Sequence, residues 1–425
     1  MKTTFTEDQR ANPLIKDMEE NLRKCVHCGF CLSACPTYSI LGDERDSPRG
    51  RIYLIKDMLE MDGSPNPAIV SHIDKCLSCL ACMSACPSGV HYQHYVDQAR
   101  AHIEDTFERP LFDRLIRWFL GYVLPHPDRF RFVIGLSRLV RPFRSLMGRK
   151  LEGMIELAPA NLPKAQMPVR SAVYRATGEK KMRVALMTGC VQQVLRPSIN
   201  EATIRLLTRL GAEVVVPAGS GCCGALVHHL GKNDDALDFA RRNIAAWIDE
   251  TEGDGLDAIV INASGCGTEV KDYGFMLRRD IIWRKKAEKV SALTKDVSEV
   301  IADLELEDNV SAKLSAVIYH DACSLLHGQG IFEQPRNLLV EAGYEVQEIP
   351  GKHYCCGSAG SYNLLQPDIA IWLKDQRLAE ISKLGAQVIA TGNIGCLTQL
   401  ATKAALPVVH TVELLDWATG GPRPY

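Results

Sequence analysis

The stretch "CVHCGFCLSACP", residues 25–36, recurs at residues 76–87 as "CLSCLACMSACP". Both copies space four cysteines as C-x2-C-x2-C-x3-C and follow the last with proline. Three thiolates at two-residue intervals suit one tight loop around a metal–sulfur cluster, whereas the fourth cysteine leaves in another direction. Two such loops are therefore predicted to organise the amino-terminal region of the chain.

The same run occurs in bacterial two-cluster ferredoxins, where the fourth cysteine ligates the other cluster. We therefore predict two 4Fe–4S clusters that exchange one ligand. The ligands of the first cluster would be Cys25, Cys28, Cys31 and Cys86, and those of the second cluster would be Cys76, Cys79, Cys82 and Cys35. Two structural zinc sites are the alternative, but tetrahedral zinc does not require a third cysteine at the same interval and a following proline, twice.

Residues 1–105 are predicted to form an all-α, ferredoxin-like domain. In "SPRGRIYLIKDMLEM", residues 47–61, Ser47 suits an N-cap and Pro48 suits the first helical position. Apolar residues then recur at helical spacing, namely Ile52, Ile55, Met58 and Leu59. The long, helix-containing spacer between the two cysteine runs resembles that of the helical ferredoxin domain of succinate dehydrogenase iron–sulfur subunits and heterodisulfide reductases.

The composition is that of a soluble globular protein, with 46% hydrophobic and 24% charged residues in a chain of 425. Sixteen cysteines follow a polar amino terminus without a secretory signal, which favours metal or redox chemistry in a reducing compartment over disulfides. The net charge of -2 gives no field that would attract nucleic acid, and no apolar run is long enough to cross a bilayer. We expect a cytoplasmic protein.

Residues 106–180 contain no cysteine and are predicted to form a basic helical connector, which ends in the linker "NLPKAQMPVR", residues 161–170. In "LFDRLIRWFLGYVL", residues 111–124, one face is expected to be apolar, with arginines on the other side. The apolar positions are Leu111, Leu115, Trp118 and Phe119. Such a helix packs against the rest of the protein or a partner subunit by default, and peripheral contact with an anionic membrane surface stays open.

Residues 181–425 contain a duplication, which predicts two α/β domains, residues 181–300 and 301–425, in an α+β multidomain protein. Each copy alternates apolar strands with helices, a pattern that indicates parallel sheets. Each also carries four cysteines around a Cys-Cys-Gly sequence, and ligands gather at the carboxyl ends of parallel strands, where these cysteines fall. The eight candidate metal ligands are Cys190, Cys222, Cys223 and Cys266, then Cys323, Cys355, Cys356 and Cys396.

The two copies resemble the CCG domains of heterodisulfide reductase, in which a closing C-x2-C completes a five-thiolate cluster. Here Glu269 and Gln399 stand where the last cysteine of that pair would be, so a cubane cluster, a zinc ion or cysteines packed as small apolar residues stay open. The dinucleotide-like "GSGCCG", residues 219–224, has no matching glycine triplet in the second copy, which disfavours a nucleotide site. Nearby histidines are expected to be structural, with His320 the first to test: His228, His229, His320 and His353.

Over nearly its full length the chain resembles the iron–sulfur subunits of glycolate oxidases. The stretches that carry the resemblance are "CVHCGFCLSACPTY", "SPRGRIYLIK", "CPSGVHY", "SGCCGA", "ASGCG" and "CCGSAGSYNL". It implies that flavin-containing partner subunits oxidise glycolate to glyoxylate, and that this chain has no catalytic residues of its own. It further implies that the chain passes electrons to a quinone-type acceptor at the cytoplasmic face of the inner membrane.

Three rival functions remain open at this point. The first is the iron–sulfur subunit of a lactate or glycerol phosphate dehydrogenase. The second is a thiol enzyme of the heterodisulfide reductase type, which Glu269 and Gln399 disfavour. The third is a zinc-bearing scaffold without redox activity.

Overall fold

The protein is described from a computed structural model, which covers residues 1–61, 63–142, 148–159, 162–163, 171–306, 316–351 and 354–425. His353 and all but two residues of the predicted linker lie outside the described residues. Among the described residues, no helix is both long and apolar enough to cross a bilayer.

The amino-terminal region is built from helices, as predicted. Its short helices α3 and α7 each lie inside one of the two cysteine runs, and α5 occupies the spacer between them. The bounds are α1 Glu7–Ala11, α2 Pro13–Arg23, α3 Phe30–Ser33, α4 Pro36–Leu41, α5 Pro48–Glu60, α6 Pro67–Asp74, α7 Ala81–Ser84 and α8 Tyr92–Thr106, with a 3-10 turn at Glu44–Asp46.

Helix α5 begins as the sequence predicts. The Ser47 hydroxyl oxygen accepts a hydrogen bond from the Gly50 N–H at 3.0 Å, and Pro48 occupies the first helical position. The predicted apolar stripe is buried, with Ile55 wholly inaccessible to solvent. This stripe packs against α2, α6 and α8 to form the core of the amino-terminal domain.

Three helices form the connector: α9 Leu111–Val123, α10 Pro127–Val140 and α11 Arg149–Leu157. The outward apolar residues of α9 are exposed, Leu111 to 72% and Trp118 to 52%. Arg117 lies on the other side of α9 from these residues, as expected, and it is buried there. Its guanidinium lies 3.0 Å from a carboxylate oxygen of Asp74 and 3.1 Å from one of Asp113, because α9 packs on the end of α6.

The first α/β region has a five-stranded sheet in the order β1-β3-β2-β4-β5. All pairs are parallel except that of β1 with β3, an antiparallel edge that the duplication did not predict. The strands are β1 Ala172–Tyr174, β2 Met182–Met187, β3 Ala212–Val216, β4 Ala258–Ile261 and β5 Thr294–Asp296. The helices are α12 Gln192–Leu195, α13 Ser198–Arg209, α14 Ala225–His228, α15 Asn233–Glu252, α16 Ser264–Lys271, α17 Tyr273–Met276, α18 Arg284–Leu293 and α19 Val297–Leu304.

The second α/β region has a four-stranded, wholly parallel sheet in the order β7-β6-β8-β9. The predicted pair of parallel α/β units is thus confirmed. The strands are β6 Ala316–Tyr319, β7 Glu345–Glu348, β8 Val388–Thr391 and β9 Val408–His410. The helices are α20 Glu333–Glu341, α21 Tyr362–Leu365, α22 Pro367–Ile381, α23 Ile394–Ala401 and α24 Thr411–Ala418, with a π-helical turn at Ser324–Gly328.

The two α/β regions share one hydrophobic core, in which Val184 and Leu207 of the first join Val317 and Leu414 of the second. Helix α13 packs on α24. The Arg205 guanidinium bonds a buried carboxylate on α24 across this contact. The repeats therefore sit as one body, which brings their cysteine-bearing loops to a common face.

Gly50→Ala is expected to destabilise the amino-terminal domain. A Cβ at this position would lie 1.9 Å from the carbonyl oxygen of Glu44, which is backbone and cannot rotate away. Overpacking of this kind costs about 1–3 kcal/mol or more. The matched control is Gly135→Ala in α10, where a Cβ would meet nothing within 4 Å and the loss of glycine should stabilise the helix by about 0.5–1 kcal/mol. Equal melting temperatures for the two variants would contradict the packing described here.

Candidate metal centres

The cysteines predicted to hold the first cluster converge on one cavity. The loop that precedes α3 contributes two of them and α3 itself contributes Cys31, and the fourth comes from the end of the second cysteine run. The cavity is lined by Cys25, Cys28, Cys31 and Cys86, together with Cys82, Arg49, Ile52 and Tyr92. Cys28 is exposed, so this centre lies at the protein surface.

The cysteines predicted to hold the second cluster line a separate cavity. Its walls contain Cys35, Cys76, Cys79 and Cys82. Cys35 therefore lies with the second loop and Cys86 with the first, which is the arrangement that an exchanged ligand requires. The residue-by-residue ligand assignment stays a prediction.

The two cysteine loops are wound in the same strained way. His27 and Gly29 in the first loop have φ of 59° and 84°, and Ser78 and Leu80, at the equivalent positions of the second, have 50° and 63°. Left-handed backbone costs a residue other than glycine roughly 1–2 kcal/mol and persists where surroundings over-determine it. The Ser78 N–H donates a hydrogen bond to Cys76 Sγ at 3.5 Å. Each loop thus fits a thiolate-bound cubane of its own, since it curls around a single centre.

Arg51 is a buried cation beside the second loop. It is 1% exposed, and its guanidinium lies 3.9 Å from Cys35 Sγ and 3.5 Å from a carboxylate oxygen of Asp46. Burial disfavours the charged form, but the anionic forms of Cys76, Tyr92 and Cys35 raise the pKa of Arg51 above its ordinary value. A positive charge is therefore held where it stabilises extra negative charge on the centre. Sequence reasoning could not choose between this role and solvation at the start of a helix.

In the first α/β region the four cysteine thiols lie close enough to shift one another's pKa: Cys190 and Cys223 raise the pKa of Cys222, and Cys222 and Cys266 lower that of Cys223. The Gly224 N–H also donates to Cys222 Sγ at 3.4 Å. We call this cluster of side chains the first thiol group. It brings together all four residues that the sequence predicted for this copy.

The cysteines of the second α/β region form the second thiol group: Cys323, Cys355, Cys356 and Cys396. Cys323 Sγ lies 3.8 Å from Cys355 Sγ. The ligating atoms of His320, Cys356 and Cys396 lie within 4.8 Å of one another, and the proximity of Cys356 and of the His320 imidazole lowers the pKa of Cys396 to about 5. Imidazole and thiolates are a donor set that zinc or iron accepts. The first thiol group has Met187 at the position of His320, so a metal fits the second better.

The positions of the missing cysteines are occupied by residues that make other bonds. Glu269 Oε1 lies 2.7 Å from His228 Nδ1 in a fully buried pair. Burial lowers the pKa of His228, but Glu269 and Asp97 reverse this and raise it to about 10. Gln399 accepts a hydrogen bond from Asn363 Nδ2 at 3.0 Å. Neither side chain is a thiol, so the closing C-x2-C pair is incomplete in both copies.

The second cysteine loop faces the second thiol group across the domain boundary. Cys79 and Leu77 pack in the same apolar cluster as Cys323 and Cys355, and Tyr362 Oη donates to the Lys75 carbonyl at 3.0 Å. The centres are therefore arranged in a row from the exposed first loop, through the buried second loop, to the second thiol group.

Two cysteine loops in a helical domain followed by two cysteine-rich α/β units define an iron–sulfur protein. The family model of the 4Fe-4S dicluster domain matches residues 24–90, and that of the cysteine-rich domain, or CCG, matches residues 184–271 and 317–401. The chain carries a 4Fe–4S dicluster domain with eight amino-terminal cysteines. Its predicted cofactor class is thus confirmed.

The chain belongs to the family of glycolate oxidase iron–sulfur subunits. It is 38% identical to the glycolate oxidase iron-sulfur subunit of Escherichia coli over 98% of this chain and 99% of that one. A probable glycolate oxidase iron-sulfur subunit of Bacillus subtilis is 32% identical over 99% of both chains. Lactate utilization protein A of Bacillus subtilis is 27% identical over 55% of this chain and 99% of its own length.

A solved structure shares the overall fold. The crystal structure of a hypothetical protein from Helicobacter pylori aligns with a TM-score of 0.52, over 98% of this chain and 74% of that chain. The sequence identity is 10%, so this similarity concerns the fold alone.

Proposed function

We propose that this chain is the electron-transfer subunit of a complex that oxidises glycolate to glyoxylate. Electrons leave a flavin-containing partner subunit, pass through two 4Fe–4S clusters and reach a quinone-type acceptor at the cytoplasmic face of the inner membrane. The observation that carries the proposal is the row of centres, which begins at the exposed Cys28 and continues inward through the second loop. Family membership supports the choice of substrate.

The first cluster would be held by Cys25, Cys28, Cys31 and Cys86, and the second by Cys76, Cys79, Cys82 and Cys35. When bound, such clusters supply one-electron transfer, whereas a flavin accepts two electrons from its substrate. The chain's own residues hold the centres in order and set their electrostatics. Arg51 places a buried charge beside the second centre, while the first faces solvent.

The surface around the first centre is the proposed docking site of the flavin-containing subunit. Val26 and Phe30, which flank Cys28, are 67% and 65% exposed, and nearby Tyr53 is 49% exposed. Exposed aromatic side chains are enriched in the cores of protein–protein interfaces. Docking there would bring the flavin to the only cluster site that has an exposed cysteine among the described residues.

Phe30→Glu is expected to weaken association with the flavin-containing subunit. A carboxylate at the centre of an apolar interface must lose its water, so we expect the dissociation constant to rise by about tenfold or more, which corresponds to about 1.4 kcal/mol. Val340→Glu, a change of the same charge at a 58% exposed position on α20, is the control. Copurification and titration of the two subunits measure the effect. If the Phe30 variant bound with unchanged affinity, the flavin-containing subunit would have to dock on another surface.

The proposed function is tested with the assembled complex. Glycolate, added without oxygen, should reduce the clusters, as seen by EPR, and L-lactate and glycerol 3-phosphate should do so more slowly. Faster reduction by one of the other substrates would assign the chain to that dehydrogenase. Protein that contains zinc and no labile sulfide would support a scaffold, and disulfide reduction by the isolated chain would support a thiol enzyme.

A further inference from the structure

A large cavity of about 500 Å³ lies between the two thiol groups and the connector helices. Thiols from both α/β regions form its inner end, beside the turns that open α16 and α23. These thiols belong to Cys190, Cys223, Cys266, Cys323, Cys355, Cys356 and Cys396. Its size is that of a site for a small organic molecule.

The walls of this cavity are apolar. Helix α10 contributes Val133 and Ile134, α11 contributes Met154, and Leu226 and Leu364 come from the two α/β regions. Metal coordination does not require such walls, which are of the kind that binds an apolar ligand. A few polar groups stand among them, so the ligand has a polar part as well.

The cavity opens at the apolar surface of the connector. Its lining includes three exposed side chains, Phe119, Leu136 and Val140, with exposures of 38%, 46% and 37%. The other exposed apolar residues of α9, among them Leu111 and Trp118, lie on the same connector. A ligand dissolved in a membrane could therefore enter without crossing water, provided that this face rests on the lipid surface.

We propose that this cavity binds the head group and the first part of the tail of a lipophilic quinone. This assignment rests on the proposed function, because that function delivers electrons to the second cysteine loop, which adjoins the thiol end of the cavity. A fatty acid would fit the walls but would make no use of the thiol end. A water-soluble acceptor would not need an apolar channel of this size.

The polar side chains of the lining suit the carbonyl oxygens of a quinone. His229 and Asn363 both line the cavity, and His229 Nδ1 lies 3.6 Å from a carboxylate oxygen of the buried Asp97. Imidazole and amide N–H groups are donors for such oxygens. The quinone takes two electrons, which the flavin-containing partner supplies one at a time through the clusters, and two protons from water, and leaves as the quinol.

Val133→Trp tests the proposal by filling the cavity, since Val133 lines it from α10. With the assembled complex and a short-chain benzoquinone or naphthoquinone, we expect the KM for quinone to rise by about tenfold or more. Reduction of the clusters by glycolate should stay at the wild-type rate. Val340→Trp is the matched control, because Val340 is 58% exposed and lies outside the cavity. Ser137→Phe, a smaller obstruction in the same helix, serves if Val133→Trp fails to fold.

The outcomes separate the two proposals. Unchanged quinone kinetics in a folded Val133→Trp complex, with glycolate still reducing the clusters, would overturn the cavity assignment and leave the proposed function standing. Failure of glycolate to reduce the clusters in the wild type would overturn the proposed function. Labelling with a photoreactive azidoquinone needs no glycolate, so in that case it still tests whether the cavity binds a quinone. The wild type and Val340→Trp should be labelled on α10, and labelling of Val133→Trp to the same extent would contradict the site.

Discussion

Cys35→Ala should abolish or alter the second cluster, which the cysteine run at residues 76–87 mainly holds. Cys86→Ala should abolish or alter the first cluster, which the run at residues 25–36 mainly holds. The reason is the exchange of ligands: Cys35 lies in the cavity of Cys76 and Cys79, and Cys86 lies with Cys25. Loss of one cubane lowers the iron content of the two clusters from about eight to about four per chain. Iron and sulfide analysis together with EPR of the reduced protein identifies the centre that is lost.

The two variants control for each other, because each removes one thiol of the same kind at the end of the same motif. If Cys35→Ala damaged only the centre of its own run, that of Cys25 and Cys31, the exchanged arrangement would be wrong. If both variants lost both centres but remained folded, the clusters would assemble cooperatively, and the ligand sets could no longer be read as independent.

Arg51→Met is expected to destabilise the amino-terminal domain and to make the second cluster harder to reduce. Arg51 donates to the His72 carbonyl at 2.8 Å and to Thr37 Oγ1 at 3.1 Å, and it faces the buried Asp46. Removing one partner of a buried ion pair costs about 3–5 kcal/mol. His72 and Lys75 still contact Asp46, which places the loss at the lower end of that range.

The change in potential has a definite sign. Reduction adds negative charge to the cluster, and the guanidinium lies 3.9 Å from Cys35 Sγ, so its removal lowers the reduction potential of the second cluster. EPR-monitored redox titration measures this, and chemical denaturation measures the stability. Arg45→Met is the matched control, since Arg45 is exposed and pairs with Asp43 at the surface; a pair of this kind contributes about 0–1 kcal/mol. If both variants changed the reduction potential and the stability equally, Arg51 would have no particular role beside the second cluster.

The features that depend on local spacing could be predicted from the sequence. Three cysteines at two-residue intervals define a loop by themselves, and Ser47 and Pro48 define the start of α5. Both features follow from residues that are close together in the sequence, without contacts to distant segments. The duplication predicted two parallel sheets because each copy carries its own alternation of strands and helices. The domain boundaries stay a prediction, and α19, which spans Val297–Leu304, crosses the one placed at residue 300.

The features that depend on distant contacts could not be predicted. Arg117 is buried because Asp74, on another helix, pairs with it, and Glu269 on α16 is held by His228 on α14. The cavity requires α10, α11 and both α/β regions to pack together, and none of these segments carries a signal of it alone. His320 was singled out only by its proximity to a cysteine in the sequence, and its approach to Cys396 depends on the register of β6 and β8.

The most direct test of the relay is anaerobic EPR of the complex before and after the addition of glycolate and then of a quinone. Glycolate should produce the signals of two reduced cubane clusters, and the quinone should remove both within the time of turnover. Reduction of the flavin by glycolate while both clusters stay oxidised would contradict the account.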